Sequence, residues 1–188
     1  MILGYYYWAW HKAIDEKICD EIVNRHKNFE KATTLKEEEN QGTRKNKVTF
    51  TNEEELYNLL RPYVDSANKQ AGWNFDIEGS EGIQISKYDK DDLYNWHIDG
   101  GSDIHHQKNN YVRKLSLILT LTDRKEYDGG EFEIDLGPHA SNRNLIVNEL
   151  NSKGGLVVIP SFLYHRVRPI TRGTRHSLVM WTAGKPFK

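Results

Sequence analysis

Gly155-Leu156-Val157-Val158-Ile159-Pro160-Ser161-Phe162-Leu163-Tyr164-His165 is the stretch on which the fold turns. Its apolar run is opened by glycine and closed by proline, too short for a helix, and reads as a strand buried within a sheet. A turn follows, and His165 opens the next strand. The same texture extends outward in both directions from Trp73 to the end: short β-prone runs separated by turn residues. Strands are expected near 73–78, 82–88, 93–99, 112–121, 130–135, 144–150, 154–159, 164–169 and 174–182. Gly79, Gly100-Gly101, Asp128-Gly129-Gly130, Gly154-Gly155 and Gly173 punctuate them.

Two helical patterns precede these strands. Ile14, Ile18, Ile22 and Phe29 recur at helical spacing, with Cys19, Val23 and His26 widening the stripe and Asp15, Glu16, Asp20 and Glu21 opposite. That predicts an amphipathic helix covering a sheet. Leu56, Leu59, Leu60, Tyr63, Val64 and Ala67 form a second stripe, capped by Thr51 or Asn52, with Glu53 to Glu55 placed favourably against the helix dipole. Pro62 is expected to interrupt or kink that helix. Residues 36–47 are polar and aperiodic, a surface loop before the short strand Lys47–Phe50. The aromatic run Tyr5–Trp10 reads as a strand near a sheet edge. Helices followed by evenly spaced strands give an α+β protein with a β-sandwich or barrel core. No internal repeat and no second domain is visible, so one domain is expected over 1–188, with helical support over 11–72 and the β core over 73–183.

Composition narrows the function classes. With 188 residues the chain is long enough to bury a core without staples. A formal charge of −1 argues against general affinity for nucleic acid or anionic membrane. The single cysteine, Cys19, leaves no intramolecular disulfide. Met1–Trp10 lacks the basic start and apolar core of a signal peptide, and no apolar run reaches membrane-spanning length. A cytoplasmic protein is expected, with no nucleic-acid and no membrane partner; its oligomeric state is left open.

The chemistry-bearing residues begin with Tyr94-Asn95-Trp96-His97-Ile98-Asp99. On a strand, His97 and Asp99 point to one side. A second imidazole from His165 would complete two histidines and one carboxylate, the facial ligand set of non-haem Fe(II) oxygenases. In Arg175-His176-Ser177-Leu178-Val179-Met180-Trp181, alternation places Arg175, Ser177, Val179 and Trp181 on one face. A guanidinium heading an inward row is costly unless an anion meets it. The other polar residues have plainer readings. His105-His106 sits in a loop, His11, His26, His139 and His176 are structural or surface residues, and Arg166, Arg168 and Arg172 are either a basic rim or a solvated strand face.

The set Tyr88-x5-Tyr94-x2-His97-x-Asp99 followed by His165-x9-Arg175-x5-Trp181 resembles the Fe(II)- and 2-oxoglutarate-dependent dioxygenases, specifically the prolyl 4-hydroxylase-like group. Arg113-Lys114-Leu115-Ser116, Tyr127-Asp128-Gly129-Gly130-Glu131, Pro160 to Val167 and Thr171 to Arg175 fit the same pattern, and the likeness is close over residues 82–183. More loosely it reaches Arg44-Lys45-Asn46-Lys47-Val48, as in bacterial and phage members. The resemblance implies a double-stranded β-helix (jelly-roll) core with the amino-terminal helices packed on the outside of one sheet. It implies that His97, Asp99 and His165 hold Fe(II), that Arg175 binds the distal carboxylate of 2-oxoglutarate, and that Tyr88 hydrogen-bonds this co-substrate. Tyr94, Trp181 and Thr120 would border the pocket. Two departures stand out: the family's glycine between the two tyrosines is missing from Asp89-Lys90-Asp91-Asp92-Leu93, and Thr120 stands where some relatives place a tyrosine.

Three ligands on one face of an octahedral ion leave two positions for the oxo acid and one for O2. The implied reaction is hydroxylation of an unactivated C–H, most naturally of a prolyl residue in a peptide or protein, with succinate and CO2 released; ascorbate enters as a candidate reductant. Loops 36–47 and 100–111 are candidates for closing over a peptide-sized substrate. Two rivals remain, a hydroxylase of free amino acids or other small molecules and a non-enzymatic metal-binding jelly roll. Arg175 speaks against the second, since a structural metal has no use for an inward guanidinium. Halogenation is disfavoured, because Asp99 fills the position that chemistry needs vacant.

Overall fold

A computed structural model describes residues 3–32, 43–100 and 111–187. His105-His106, most of the 100–111 loop and much of the 36–47 loop lie outside the described residues. The major sheet is centred on β15 (Arg175–Gly184), flanked by β8 (Val112–Thr120) and β6 (Ile83–Tyr88). Beyond β8 come β12 (Leu156–Pro160) and the edge strand β1 (Trp8–Trp10); beyond β6 come β4 (Lys47–Thr51) and β2 (Glu30–Lys31). The short β5 (Gly79–Ser80) pairs with the far end of β15. The minor sheet runs β11 (Asn144–Ile146), β10 (Phe132–Asp135), β13 (His165–Val167), β7 (Leu93–His97), β3 (Arg44–Lys45). A separate pair joins β9 (Tyr127–Gly129) to β14 (Ile170–Gly173). Every pairing is antiparallel, and the two sheets form the jelly roll expected from the sequence.

The central strands are near-continuously apolar because both of their faces are covered. From β15, Leu178 and Met180 point outward with Leu115, Leu117 and Leu119 of β8 and Leu156 and Val158 of β12. There they meet Cys19 and Ile22 of α1 (Glu16–Arg25) and Leu56, Leu60, Val64 and Ala67 of α2 (Glu54–Gln70). The alternate residues Ile118, Val157 and Ile159 point inward to Phe132, Ile134 and Val167 of the minor sheet. Ile22, Leu60, Leu117 and Ile134 are fully buried; each such side chain contributes about 1.5–3 kcal/mol. The helices therefore cap one face of the major sheet and leave its other face to build the interior cavity.

Three local expectations fail for identifiable reasons. Residues 73–78 form no strand, although Trp73 and Phe75 are buried. The Asn68 side chain of α2 takes the place of a neighbouring strand: Phe75 N donates to Asn68 Oδ1, and Asn68 Nδ2 donates to the Phe75 carbonyl, both at 2.9 Å. The strand expected over 144–150 ends at Ile146, and a 3-10 turn spans Asn148–Asn151. Helix α2 runs through Pro62 without interruption. Its N-cap is Glu53, whose amide donates to Thr51 Oγ1 at 3.3 Å, so Thr51 serves the helix start from one turn outside it.

His176 gives the fold an acid sensitivity. Its amide donates to Thr122 Oγ1 at 2.8 Å, and its ring lies 5.8 Å from that of Phe29. Burial, reinforced by Lys87, pushes its imidazole down to about 4. The unfolded chain binds this proton more readily, so the stabilisation present above pH ~6.5 is lost as pH falls toward the folded value. The whole effect amounts to at most about 3 kcal/mol. Urea midpoints measured near pH 7 and at about pH 4.5 should diverge less in His176→Gln than in wild type; equal divergence would remove His176 from the account. Among the described residues, no helix is long and apolar enough to cross a membrane.

Candidate metal centre

The antiparallel pairing of β7 with β13 sets His97 directly opposite His165. Both rings point into the gap between the sheets, with centroids 4.2 Å apart. Asp99 follows β7 by two residues, and the turn after β12 fixes it there. The Ser161 carbonyl accepts from the amides of Asp99 (2.9 Å) and Gly100 (2.8 Å), while Ser161 Oγ meets Ser116 Oγ of β8 at 2.9 Å. Gly100 is needed for this approach, since a Cβ there would lie 2.7 Å from the Arg113 carbonyl oxygen. The Asp99 carboxylate thus reaches between the rings, with Oδ1 3.6 Å from His97 Nε2 and Oδ2 3.5 Å from His165 Nε2.

The far side of each ring fixes its orientation. His97 Nδ1 lies 2.8 Å from the Asn95 carbonyl and His165 Nδ1 lies 2.8 Å from the Leu163 carbonyl. A carbonyl can only accept, so each Nδ1 carries the hydrogen, and in its neutral form each ring keeps an Nε2 lone pair with which to bind a cation beside Asp99. These backbone acceptors, both two residues before their histidine, were not identifiable from the sequence. Burial together with His165 pushes the His97 imidazole down to about 3. Burial acts the same way on His165, but the Asp99 carboxylate outweighs it and raises that ring. Burial would raise Asp99, yet the two histidines hold it well below the usual carboxylate range. The three ligand atoms lie within 4.8 Å of one another. Ligands about 2.1 Å from a shared octahedral ion sit about 3 Å apart, so a small contraction would seat a divalent cation. Two imidazoles and a carboxylate with open positions are the donor set suited to Fe(II).

A cavity opens from this cluster, lined by Gln84, Tyr88, Tyr94, Phe132, Arg175 and Trp181 among others. Arg175, at the start of β15, is 1% exposed and has no carboxylate partner among the described residues. Its Nη1 donates to Ser177 Oγ at 3.1 Å, its Cζ lies 5.6 Å from the Tyr88 ring centroid, and its Nε is unsatisfied. Burial pushes the Tyr88 phenol up, so it stays protonated. A buried guanidinium and a phenol on one wall are donors awaiting an anion. Tyr94 stacks on His97, with centroids 3.5 Å apart and planes 9° from parallel. Trp181, 8% exposed, also faces the cavity with an unsatisfied Nε1. Thr120 corrects the expectation placed on it: its hydroxyl donates to the Leu150 carbonyl at 2.9 Å, and it does not line the cavity. Asp91 holds φ at +68°, in the loop where the glycine is missing, a conformation that aspartate tolerates better than most residues.

Several contributors were given no role at the site from the sequence. Arg44 sits with Cζ 4.5 Å from the Tyr94 ring centroid and donates to Gln84 Oε1 at 3.1 Å, tying β3 to the cavity wall. Arg113 pairs with Glu81 at 2.6 Å, donates to the Asp99 carbonyl at 3.3 Å and lies 4.1 Å from the Trp181 ring centroid. Both belong to different strands from the residues they support, which no local pattern reveals. Arg166 and Arg168, read as rim or solvated face, both pair with the buried Glu133. Gly130 matters for Arg175: at φ +67°, a Cβ would come 2.5 Å from Ile170 Cδ1 and 3.1 Å from Arg175 Cδ. Gly130→Ala is expected to displace the guanidinium and weaken binding of a dicarboxylate roughly tenfold, with a lower melting temperature. Calorimetric titration of the purified variant with 2-oxoglutarate checks this, and wild-type affinity would rule the contact out.

Residues 83–183 match the family model described as the 2OG-Fe(II) oxygenase superfamily. Among curated proteins, the PKHD-type hydroxylase YbiX of Escherichia coli O6:K15:H31 is 34% identical over 99 residues, 52% of this chain and 40% of that protein. The chain thus matches less than half the length of these relatives. Among solved structures, a Pseudomonas putida prolyl-4-hydroxylase superposes with TM-score 0.73 at 18% identity, covering 97% of this chain and 95% of that one. The viral collagen prolyl hydroxylase of Paramecium bursaria Chlorella virus-1, in its 2OG complex, gives 0.68 at 18% identity over 96% and 97%. A Trichoplax adhaerens prolyl hydroxylase in complex with a hypoxia inducible factor peptide fragment gives 0.65 at 14% identity over 95% and 84%. At these identities the structural likeness establishes the fold.

Proposed function

Because the chain belongs to the 2OG-Fe(II) oxygenase superfamily, we propose that this 2-oxoglutarate-dependent dioxygenase hydroxylates an unactivated C–H of a prolyl residue in a peptide or protein, as a single cytoplasmic domain over 1–188. His97 and His165 would hold Fe(II) through Nε2, with one oxygen of Asp99 as the third ligand. Bound iron and 2-oxoglutarate supply the oxidant, the oxo acid being decarboxylated to succinate and CO2 as one atom of O2 enters the substrate. The chain's own residues bind, orient and shield. Arg175 would take the distal carboxylate with the Tyr88 phenol donating beside it; Tyr94 and Trp181 would wall the space where the target carbon rests. The observation that carries this reading is the buried Arg175 guanidinium, unpaired among the described residues, on the same cavity wall as the three candidate ligands. Support for a prolyl substrate comes from the similar folds, one of which holds a peptide.

The test has two arms. Anaerobic Fe(II) and 2-oxoglutarate added to folded protein should produce a weak visible charge-transfer band, and a flat spectrum would remove the cofactor assignment. A library of proline-containing peptides, read by mass spectrometry for gain of one oxygen with matching succinate release, should yield a hydroxylated member. If the band forms and no peptide is modified, the substrate is a small molecule.

A further inference from the structure

We propose that Gln84, steered by Arg44, is a positioning residue for the co-substrate: it sets the direction of a buried hydrogen-bond chain, from Arg44 through Gln84 and Ser86 to Tyr88, that leaves the Tyr88 phenol hydrogen for the distal carboxylate. This rests on the 2-oxoglutarate reading above. Strand alternation makes the chain possible. Gln84, Ser86 and Tyr88 are every second residue of β6, and they pair with Val179, Ser177 and Arg175 of the inward row of β15. All three are buried. Gln84 and Tyr88 line the cavity together with Arg175, whereas Arg44 approaches from β3 and stands behind that lining.

The chemistry of Arg44 fixes the direction of the chain. A guanidinium can only donate, so the Gln84 atom 3.1 Å from Arg44 Nη2 is Oε1, and the carboxamide nitrogen is turned the other way. That nitrogen donates to Ser86 Oγ at 2.8 Å. Ser86 Oγ therefore accepts on the Gln84 side, and its own hydrogen is free to point along the row to the phenol. Burial pushes the Tyr88 phenol up, and what opposes the rise is Arg44, Arg175 and a hydrogen bond from Ser86. That is the sense expected of a hydroxyl donating to the phenol oxygen. With its oxygen accepting from Ser86, Tyr88 keeps its hydrogen for another acceptor, on the wall where Arg175 also has an unsatisfied Nε. Arg44 is itself held in place. Its Nε donates to Asn46 Oδ1 at 2.8 Å, and the buried Asn46 Nδ2 is left unsatisfied. An unmet buried amide is destabilising, a local cost of the kind that persists at functional positions.

Calorimetric titration of 2-oxoglutarate into the Mn(II)-loaded protein tests the chain through a double-mutant cycle. Gln84→Met keeps the volume and removes the carboxamide. Affinity for 2-oxoglutarate should fall about fivefold, the worth of one neutral hydrogen bond, with Mn(II) affinity unchanged. In a Tyr88→Phe background, which lacks the phenol hydroxyl, Gln84→Met should cost nothing further, because the chain then ends on no donor. A loss of equal size in both backgrounds would mean that Gln84 acts through packing alone and would overturn the proposal. Arg44→Met should repeat the behaviour of Gln84→Met from outside the cavity, and it carries the test if Gln84→Met does not fold. Arg44→Lys should recover part of the loss, since an ammonium is also a donor only. Wild-type protein that bound no 2-oxoglutarate would overturn the co-substrate reading and the chain together. Wild-type binding that Gln84→Met and Arg44→Met left untouched would overturn the chain alone.

Discussion

Arg175→Met is expected to raise the melting temperature of the ligand-free protein while lowering its affinity for 2-oxoglutarate by about two orders of magnitude. Both effects follow from the same burial. Arg175 is 1% exposed, donates one described hydrogen bond, to Ser177 Oγ, and keeps an unsatisfied Nε. A charge held that way costs several kcal/mol, and an apolar side chain of similar volume removes the cost, stabilising by about 1–4 kcal/mol. At this chain length that is roughly 2–4 °C for each kcal/mol. Truncating one partner of a buried charge pair costs about 2–5 kcal/mol in binding, which sets the loss of co-substrate. Arg175→Lys should recover part of the affinity, since it keeps the charge without the planar fork. Differential scanning fluorimetry with and without 2-oxoglutarate in Mn(II) separates the outcomes. A variant that still shifts upward with the oxo acid would show that another residue binds the carboxylate.

What the sequence disclosed depended on whether a residue's partner was local. The run Leu156–Ile159 and the alternation of Arg175 through Trp181 predicted faces correctly, because a strand's two-residue period is written into the chain. Each inward residue of β15 lines the cavity as that period requires, with Arg175, Ser177, Val179 and Trp181 on its wall. Features fixed by distant partners stayed hidden. Residues 73–78 have strand-like composition, but the Asn68 amide of a helix satisfies the backbone of Phe75. Thr120 occupies an inward register position, yet the Leu150 carbonyl claims its hydroxyl. The histidine orientations rest on carbonyls of Asn95 and Leu163, which have no side-chain signature. Arg44 and Arg113 reach the site from other strands, and only the register of β3 with β7 and of β8 with β15 brings them there.

The companion substitution, Asp99→Ala, should remove the metal and its co-substrate together. Among the described residues, Asp99 is the only carboxylate between the two Nε2 atoms, and its oxygens face both. Its removal leaves two adjacent imidazoles, a site without negative charge, and Fe(II) affinity should drop at least about 100-fold, more than the loss of a group that merely orients a ligand. Because the oxo acid would chelate through the metal, 2-oxoglutarate binding should fall with it, whereas Arg175→Met should keep metal affinity close to wild type. The fold should survive, since the backbone amides of Asp99 and Gly100, not the carboxylate, hold the turn to Ser161. His165 provides a readout independent of turnover: without Asp99 to raise it, its ring should titrate lower in the metal-free variant, visible in histidine NMR spectra. Anaerobic Fe(II) titrations of both variants, each followed by 2-oxoglutarate, give a two-by-two pattern. If Asp99→Ala kept its iron, or if both variants lost metal and oxo acid alike, the division of labour between the ligand cluster and the buried arginine would have to be abandoned.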